Sequence, residues 1–502
     1  MKIHKNYKEG LQYWTMLYFA CMFLAFPLYF QNNYINILEA KTLFFKLATY
    51  IYLVGSGAVL WLISIIRVEE DRKLKIKQKT KKAKKSYKMQ NQDIWVCAFG
   101  VAVLLATILS GNFKNAWYSP DGKLFGTEII LLCCGLYFVV KKGIVKSKVT
   151  DWAIGIGCGL VFALTILNRY GIDPLHMYSN LVAEQKSLYV STIGNINIVS
   201  AYICVFIPVF CGAFLIGRRC GLLYCLALMA GVSTNSDSFF LGCGCAMILF
   251  LWVAMENHEK MLRYIWICIL SAGSVLGLKW MNHLINYNCK WKIIQIYLLE
   301  KINWYFILVV LLVVLLIIRK YGEQLPWKQI RKGVFALIAC VTMVFVIYVI
   351  WLNLGNANAG NSMLIFGDSW GTNRGYVWKR TVSLFKELPL YQKLFGVGPG
   401  GFKEFFAVYN AERVKGSLLP FVDPHNEILF YLSSTGLIGA ITYIGMFVSM
   451  IRKCLMKRDE KTMILLAVFV AWIAQGMVNT PLVFTTPFLF MFFGCVVADE
   501  NK

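Results

Sequence analysis

The stretch VFALIACVTMVFVIYVIWLNL, Val334 to Leu354, carries no charged side chain and no proline. A helix rises 1.5 Å per residue, so about 20 apolar residues cross the roughly 30 Å hydrocarbon core of a bilayer. This stretch is long enough to do so. Its residues do not alternate apolar with polar, as barrel strands between lipid and a lumen must. In lipid, each backbone N–H and C=O has to be satisfied within its own segment, so the run predicts a helix.

Similar runs recur toward both ends of the chain. About fourteen can be read: Leu11–Phe30, Phe44–Ile66, Ile94–Ser110, Thr127–Val140, Trp152–Leu167, Ile196–Ile216, Leu222–Val232, Phe239–Met255, Tyr264–Trp280, Trp304–Ile318, Val334–Leu354, Ile428–Ile451, Thr462–Val478 and Pro481–Val497. The 502 residues are 58% hydrophobic and only 15% charged. Soluble domains carry about 25% charged residues, so a water-facing globule is excluded. The expected fold is an all-α polytopic membrane protein of 12–14 transmembrane helices. Residues 1–354 hold helices 1–11, 355–426 form one long loop, and 427–502 hold helices 12–14 and a tail.

The net charge of +25 raises the question of nucleic acid, which the placement of the charges answers. With the N-terminus cytoplasmic, inside loops and termini hold about 33 of the 51 Lys and Arg residues, and outside segments about 18. The densest run lies at about 67–92 and includes Arg67, Arg72, Lys73, Lys75, Lys77, Lys79, Lys81, Lys82, Lys84, Lys85 and Lys88. Its one aromatic residue, Tyr87, is too few for a base-stacking platform. It therefore reads as a topology determinant that can also touch anionic lipid, with both termini cytoplasmic. The first apolar run ends in Tyr29-Phe30-Gln31-Asn32 rather than in a small-residue cleavage site, so the first helix is expected to stay. The 16 cysteines fall almost entirely in apolar runs and read as packing residues. Cys243 and Cys245, two apart on a helix, point to different faces, which does not suit a metal site.

Most connections are short, but the outside segment from Gly355 to Asn426 is about seventy residues, far beyond an ordinary loop. It contains Trp370, Tyr376, Trp378, Phe385, Phe402, Phe405, Phe406 and Tyr409, too much apolar surface to leave in water. It should fold onto the mouth of the bundle. Arg374–Lys386 reads as an amphipathic helix, and Phe402–Tyr409 as a second. Between them, Gly396-Val397-Gly398-Pro399-Gly400-Gly401-Phe402 suits either a tight turn or a cradle for phosphate oxygens. It lacks a dinucleotide or P-loop fingerprint.

Of His4, His176, His258, His283 and His425, the last stands apart. It ends the long loop in Pro424-His425-Asn426-Glu427, where a neutral imidazole can accept a proton from an attacking hydroxyl near pH 7. A packing or capping role is the competing reading. Asp423 or Asn426 is placed to orient the ring. Arg374 offers a guanidinium fork that matches two phosphate oxygens. Lys379 and Arg380 follow it, and Arg169 begins the other sizeable outside loop; each can equally be a solvated charge. Asn195 and Asn197 stand where a helix begins, suited to capping it or to bonding a sugar.

Gly194-Asn195-Ile196-Asn197, Arg374 followed by Trp378, the glycine-rich segment, and His425-Asn426-Glu427 with Gly436-Leu437-Ile438-Gly439 occur in an order that resembles the O-antigen ligase and O-antigen polymerase family. The resemblance is densest over about residues 190 to 445 and only topological elsewhere. It implies a GT-C-like glycosyltransferase of the bacterial cytoplasmic membrane, its site facing away from the cytoplasm. The implied donor is a glycan on polyprenyl (undecaprenyl) diphosphate, with no cofactor, nucleotide sugar or metal. Membrane lipids and other polysaccharide-assembly membrane proteins are the implied partners. On this resemblance, His425 assists the acceptor hydroxyl and Arg374 neutralises the departing diphosphate, with Arg380 and Arg169 as further phosphate ligands. Asn195, Asn197, Gly398, Gly400, Asn426 and Glu427 shape the substrate region.

One departure stands out. Many members carry Ser-Arg after the seventh helix, whereas this chain reads Ser233-Thr234-Asn235-Ser236-Asp237-Ser238. Arg169, Arg380 and Lys279 are candidates to replace the missing arginine. The acceptor is open between a growing glycan, a lipid core, a protein hydroxyl and a wall polymer. The rival class is a lipid-linked glycan flippase or other transporter. The paired interrupted helices of transporter repeats are not evident, and a flippase has little use for a folded outside loop.

Overall fold

The structure, a computed structural model, describes residues 2–77, 89–144, 146–285, 289–354, 364–415 and 419–498. The lysines from Lys79 to Lys88 in the basic run lie outside the described residues. Every apolar run read from the sequence is met by a helix. Among the described residues, ten helices are long and apolar enough to cross a membrane: Tyr7–Leu28, Ile37–Ile66, Asn91–Leu109, Lys148–Arg169, Ile196–Leu215, Asp237–Ala254, His258–Leu284, Trp304–Gln324, Trp327–Leu354 and Glu427–Lys457. The other runs form the shorter helices Thr127–Gly143, Gly221–Ser233, Glu460–Gly476 and Thr486–Val497. The only strands among the described residues are Tyr189–Val190 and Gly194–Asn195, paired antiparallel. The protein is an all-α polytopic membrane protein.

Two kinds of helix divide the bundle. Ile196–Leu215 is 83% buried across its apolar window and packs against Gly221–Ser233, Asp237–Ala254 and Glu460–Gly476. Thr486–Val497 is buried on every face, as a helix apolar all round should be at the centre of a bundle. Its Phe488 meets Phe23 at 5.3 Å and Phe206 at 5.2 Å between ring centroids. By contrast, Trp327–Leu354 has no buried residue. It touches its neighbour through Phe335 on the Trp252 ring at 4.7 Å and Arg331 over the same ring at 4.6 Å.

The long loop is a small folded unit with its own core. Val377, Phe402 and Phe406 are buried, ringed by Tyr376, Trp378, Leu384, Phe405, Tyr409 and Phe421. Burying each such side chain contributes about 1.5–3 kcal/mol, enough to hold a segment this short against the bundle. The expected helix Arg374–Lys386 is observed as Trp370–Glu387, with left-handed backbone at Gly371, Thr372 and Asn373. The expected helix Phe402–Tyr409 is broken at Phe406 into Phe402–Phe405 and Ala407–Lys415, which lets both Phe402 and Phe406 face Val377. Leu390–Phe395, opened by Pro389, was not anticipated from the sequence; six residues are too few for a helical period to show.

Candidate active site

Three attachments fix the loop as a lid on the end of the bundle. Asn353, at the end of Trp327–Leu354, donates to Leu364 O at 2.8 Å and accepts from Phe366 N at 2.8 Å. Trp378 donates its indole N–H to Pro424 O at 2.9 Å, joining the Arg374 helix to the segment that carries His425. The glycine-rich segment makes the third. Glu427–Lys457 is broken at Gly436 (φ +66°), which leaves carbonyls of the preceding turn free. Val397 N–H donates to Ser433 O and Gly398 N–H to Ser434 O, both at 2.9 Å. Glycine is required on both sides of this contact: a Cβ on Gly396 would lie 2.4 Å from the Ser434 backbone, and one on Gly436 2.4 Å from that of Leu394. Gly398 (φ +89°) and Gly400 (φ +83°) pass equally close to Ser110 and to Asn115 and Ser119. Of the two readings of this segment, its N–H groups take the tight turn: they bind protein carbonyls.

This docking brings His425 to the lid's inner edge. Its own φ is +50°, an uncommon conformation for a residue with a Cβ, set by an adjacent carboxylate. Asp423 Oδ1 accepts the His425 backbone N–H at 2.8 Å and lies 3.3 Å from ring Nδ1. The other oxygen, Oδ2, meets Lys123 Nζ at 2.5 Å. Asp423 is buried, and burial alone would raise its pKa, but His425 and Lys123 outweigh that and hold it at about 2. For His425 the balance runs the other way. Asp423 favours the charged ring most strongly, yet burial, Lys123 and Arg374 together overcome it and lower the pKa to about 4. The imidazole is neutral at pH 7. With Nδ1 directed at Asp423, the tautomer that donates there leaves the Nε2 lone pair free, and the side chain is 37% exposed. Of the two orienting candidates, Asp423 takes the ring. Asn426 instead caps Glu427–Lys457, accepting from Leu429 N at 3.0 Å and donating to Met477 O at 2.8 Å.

Arg374 lies close enough to His425 and Asp423 to act on both electrostatically. It follows three consecutive residues in left-handed backbone, Gly371 (φ +60°), Thr372 (φ +62°) and Asn373 (φ +70°). Its Nη1 donates to Gly371 O at 2.8 Å, while Nε is buried without a hydrogen-bond partner. Burial pulls its pKa below the ordinary value, opposed by Asp237 and Asp423. A guanidinium with donors left over, beside a neutral imidazole, is arranged to meet an anion next to a proton acceptor.

The remaining candidates are held in other roles. Arg380 pairs with Asp368 at 2.8 Å and stacks over Tyr376 at 4.0 Å, within the lid itself. Arg169 is buried in the bundle, donating to Ser233 O at 2.6 Å and Thr234 O at 3.1 Å, the carbonyls of the last residue of Gly221–Ser233 and of its C-cap. Asn195 caps Ile196–Leu215, accepting from Asn197 N at 2.9 Å. Asn197 accepts from Ser236 Oγ at 2.7 Å, beside the turn where the arginine of the resembled family is missing. Glu427 is buried and accepts from Tyr443 at 2.6 Å and Trp472 at 2.9 Å. Lys123 and Lys292, which no sequence pattern singled out, both reach acidic groups of this region; Lys292 Nζ lies 4.0 Å from Asp237. Among the described residues no group of three or more His, Cys, Asp or Glu side chains is placed to hold a metal ion. A cavity of about 410 Å³ opens near the glycine-rich turn, lined by Ser110, Gln392 and Glu404 among others, and neither His425 nor Arg374 borders it.

No curated protein matches the chain. Residues 296–444 match the family model described as O-antigen ligase, a span that takes in the lid, Arg374 and His425.

Proposed function

We propose that the protein transfers a glycan from a polyprenyl diphosphate to a hydroxyl acceptor, at a site on the face of the membrane away from the cytoplasm. The observation that carries this reading is the meeting, on one lid, of a neutral His425 with a free Nε2 and an Arg374 guanidinium with unused donors. The acceptor O–H gives its proton to His425 Nε2 as its oxygen bonds to the anomeric carbon. The bond from that carbon to the diphosphate oxygen breaks, and the electron pair leaves on the diphosphate. Arg374 meets the charge that develops there, a role that a metal ion fills in other diphosphate chemistry. The proton then passes from His425 to solvent. Asp423 and Lys123 position the ring, and the glycine-rich turn holds the lid closed over the bundle.

The test is incubation of purified protein with a polyprenyl-diphosphate oligosaccharide. A ladder of longer chains identifies a polymerase; transfer only to an added acceptor identifies a ligase. His425→Ala is expected to lower either product rate about 10²-fold or more. No product under either condition, with lipid-linked glycan crossing the bilayer instead, would favour a flippase and end this reading.

A further inference from the structure

The cavity beside the glycine-rich turn lies apart from the reacting groups. Its wall on the lid helix, Leu384 and Glu387, stands about 15–20 Å along Trp370–Glu387 from Arg374, at 1.5 Å per residue. The other walls are Gln392, Glu404 and Phe405 of the lid and Ser110 at the end of Asn91–Leu109. Its floor is the glycine-rich turn, already fixed by its bonds to Ser433 and Ser434. The volume of about 410 Å³ falls in the range of small-molecule sites, which join an apolar surface to a few polar groups. Two carboxylates line it, and among the described lining residues there is no Lys or Arg. Lys403, next to Glu404 in sequence, is turned to Asp121 at 2.9 Å. The cavity therefore repels phosphate. Its polar groups are also unspent. Among the described residues the side chains of Glu387 and Gln392 have no hydrogen-bond or ion-pair partner, and Glu404 is met by Asn115 Nδ2 at 3.5 Å. Asn115 is itself buried, and its Oδ1 has no partner. Carboxylates accept from O–H groups and an amide both accepts and donates, so the set suits a ligand rich in hydroxyls.

We propose that this cavity is a glycan-holding site, which grips an uncharged stretch of the sugar chain by its hydroxyls at a distance from the reacting sugar. The inference rests on the transferase reading and adds to it a place for the part of the glycan that does not react. Glu387 and Glu404 accept from sugar hydroxyls, Gln392 bonds a hydroxyl in either sense, and Leu384 and Phe405 pack against the C–H faces of the rings. The walls come from both lid and bundle, so a chain seated here favours the docked lid. Binding energy realised away from the reacting bond lowers KM without changing the chemical step. The site thus sets a preference for glycans long enough to reach it.

The probes are oligosaccharides of graded length, released by mild acid from the cell's own lipid-linked glycan and freed of phosphate. Purified full-length protein is titrated with them calorimetrically, comparing wild type, Gln392→Ala, the double variant Glu387→Gln with Glu404→Gln, and His425→Ala. Wild type should bind the longer probes more tightly. The double variant and Gln392→Ala should each weaken that binding about tenfold, as loss of hydrogen bonds to a ligand does, with melting temperatures near wild type because all three side chains are at least partly open to water. His425→Ala should bind the probes as wild type does. In a transfer assay the same two variants should raise KM for a long lipid-linked glycan about tenfold, with kcat and the KM of a single-unit donor near wild type. No probe binding to wild type, unchanged binding in the double variant, or an equal loss in His425→Ala overturns the proposal. Binding of calcium chloride that the double variant abolishes, with no oligosaccharide bound, identifies a cation site and overturns it as well. A protein that holds the probes in this way but transfers no glycan would refute the transferase reading and leave the holding site standing.

Discussion

Arg169, buried in the bundle, and Arg374, on the lid, carry the same guanidinium, and their surroundings are opposite. Around Arg169 everything is satisfied: its donors reach the Ser233 and Thr234 carbonyls, its plane lies 5.7 Å from the Trp291 ring, and its backbone is ordinary helix. Around Arg374 little is. It makes one bond to Gly371 O, its Nε has no partner, and three residues before it are left-handed. Buried polar groups without partners cost about 1–3 kcal/mol each, and left-handed non-glycine residues about 1–2 kcal/mol. A fold keeps such strain where a ligand relieves it. The comparison teaches that charge alone does not mark a ligand site; unsatisfied charge does.

The contrast is broken most sharply by removing each arginine in turn. Arg374→Ala should lower transfer about 10²–10³-fold, as loss of a donor to developing negative charge does elsewhere, with a melting temperature near wild type. Arg169→Ala should do the reverse in kind, unfolding the protein about 2–4 kcal/mol more easily because it leaves two helix-end carbonyls unpaired inside the bundle. Thermal melts in detergent beside a transfer assay separate the two. If Arg169→Ala melts as wild type and loses only activity, the division drawn here is wrong.

Lid docking should be nearly as sensitive. Gly436→Ala places a Cβ 2.4 Å from the Leu394 backbone, at a φ of +66° that alanine avoids. The turn must back away, and transfer should fall more than tenfold while the core helices keep their stability. Retained activity would mean that the Ser433 and Ser434 contacts do not hold the lid.

A smaller effect should appear in pH dependence. The folded pKa of His425, about 4, lies below the ordinary value, so its neutral ring contributes stability above about pH 6.5 that is lost as pH falls through 4. Transfer should fall over the same lower limb, as the base is protonated. Asp423, held at about 2, gives stability that is full above about pH 4 and is lost as pH falls through 2. Lys123→Ala removes a cation that opposes protonation of His425, so the acid limb of the rate should move to higher pH. A profile unmoved by this change would take Lys123 out of the site. The smallest effect is expected from Thr372→Gly, which should stabilise the lid by about 1 kcal/mol by relieving left-handed backbone at a β-branched residue.

The bundle was legible in the sequence because lipid imposes one rule on every segment, and runs such as Val334–Leu354 state it without help from the rest of the chain. The sequence singled out His425 by its position at the end of the long loop and the start of a span, and Arg374 by a charge placed against the topology bias, and the structure brings the two within electrostatic reach of each other. Asn195 and Asn426 follow the ordinary preference of asparagine for helix starts, and both cap. What the sequence did not disclose depends on contacts between distant segments. Lys123 meets Asp423, and Lys292 meets Asp237, only because turns from different hairpins are gathered at one end of the bundle. Arg380 looked as available as Arg374 until its pairing with Asp368 and Tyr376 was seen. No local pattern separates a guanidinium that has found its partners from one that has not.

The central claim is that one lid presents a base and a cation to the same lipid-carried diphosphate. The most direct measurement takes donor affinity and transfer rate from a single preparation of His425→Ala and of Arg374→Ala. The account predicts that His425→Ala binds donor as wild type does and turns over about 10²-fold more slowly, whereas Arg374→Ala loses both binding and rate. Wild-type turnover in His425→Ala, or wild-type donor affinity and rate in Arg374→Ala, would contradict it.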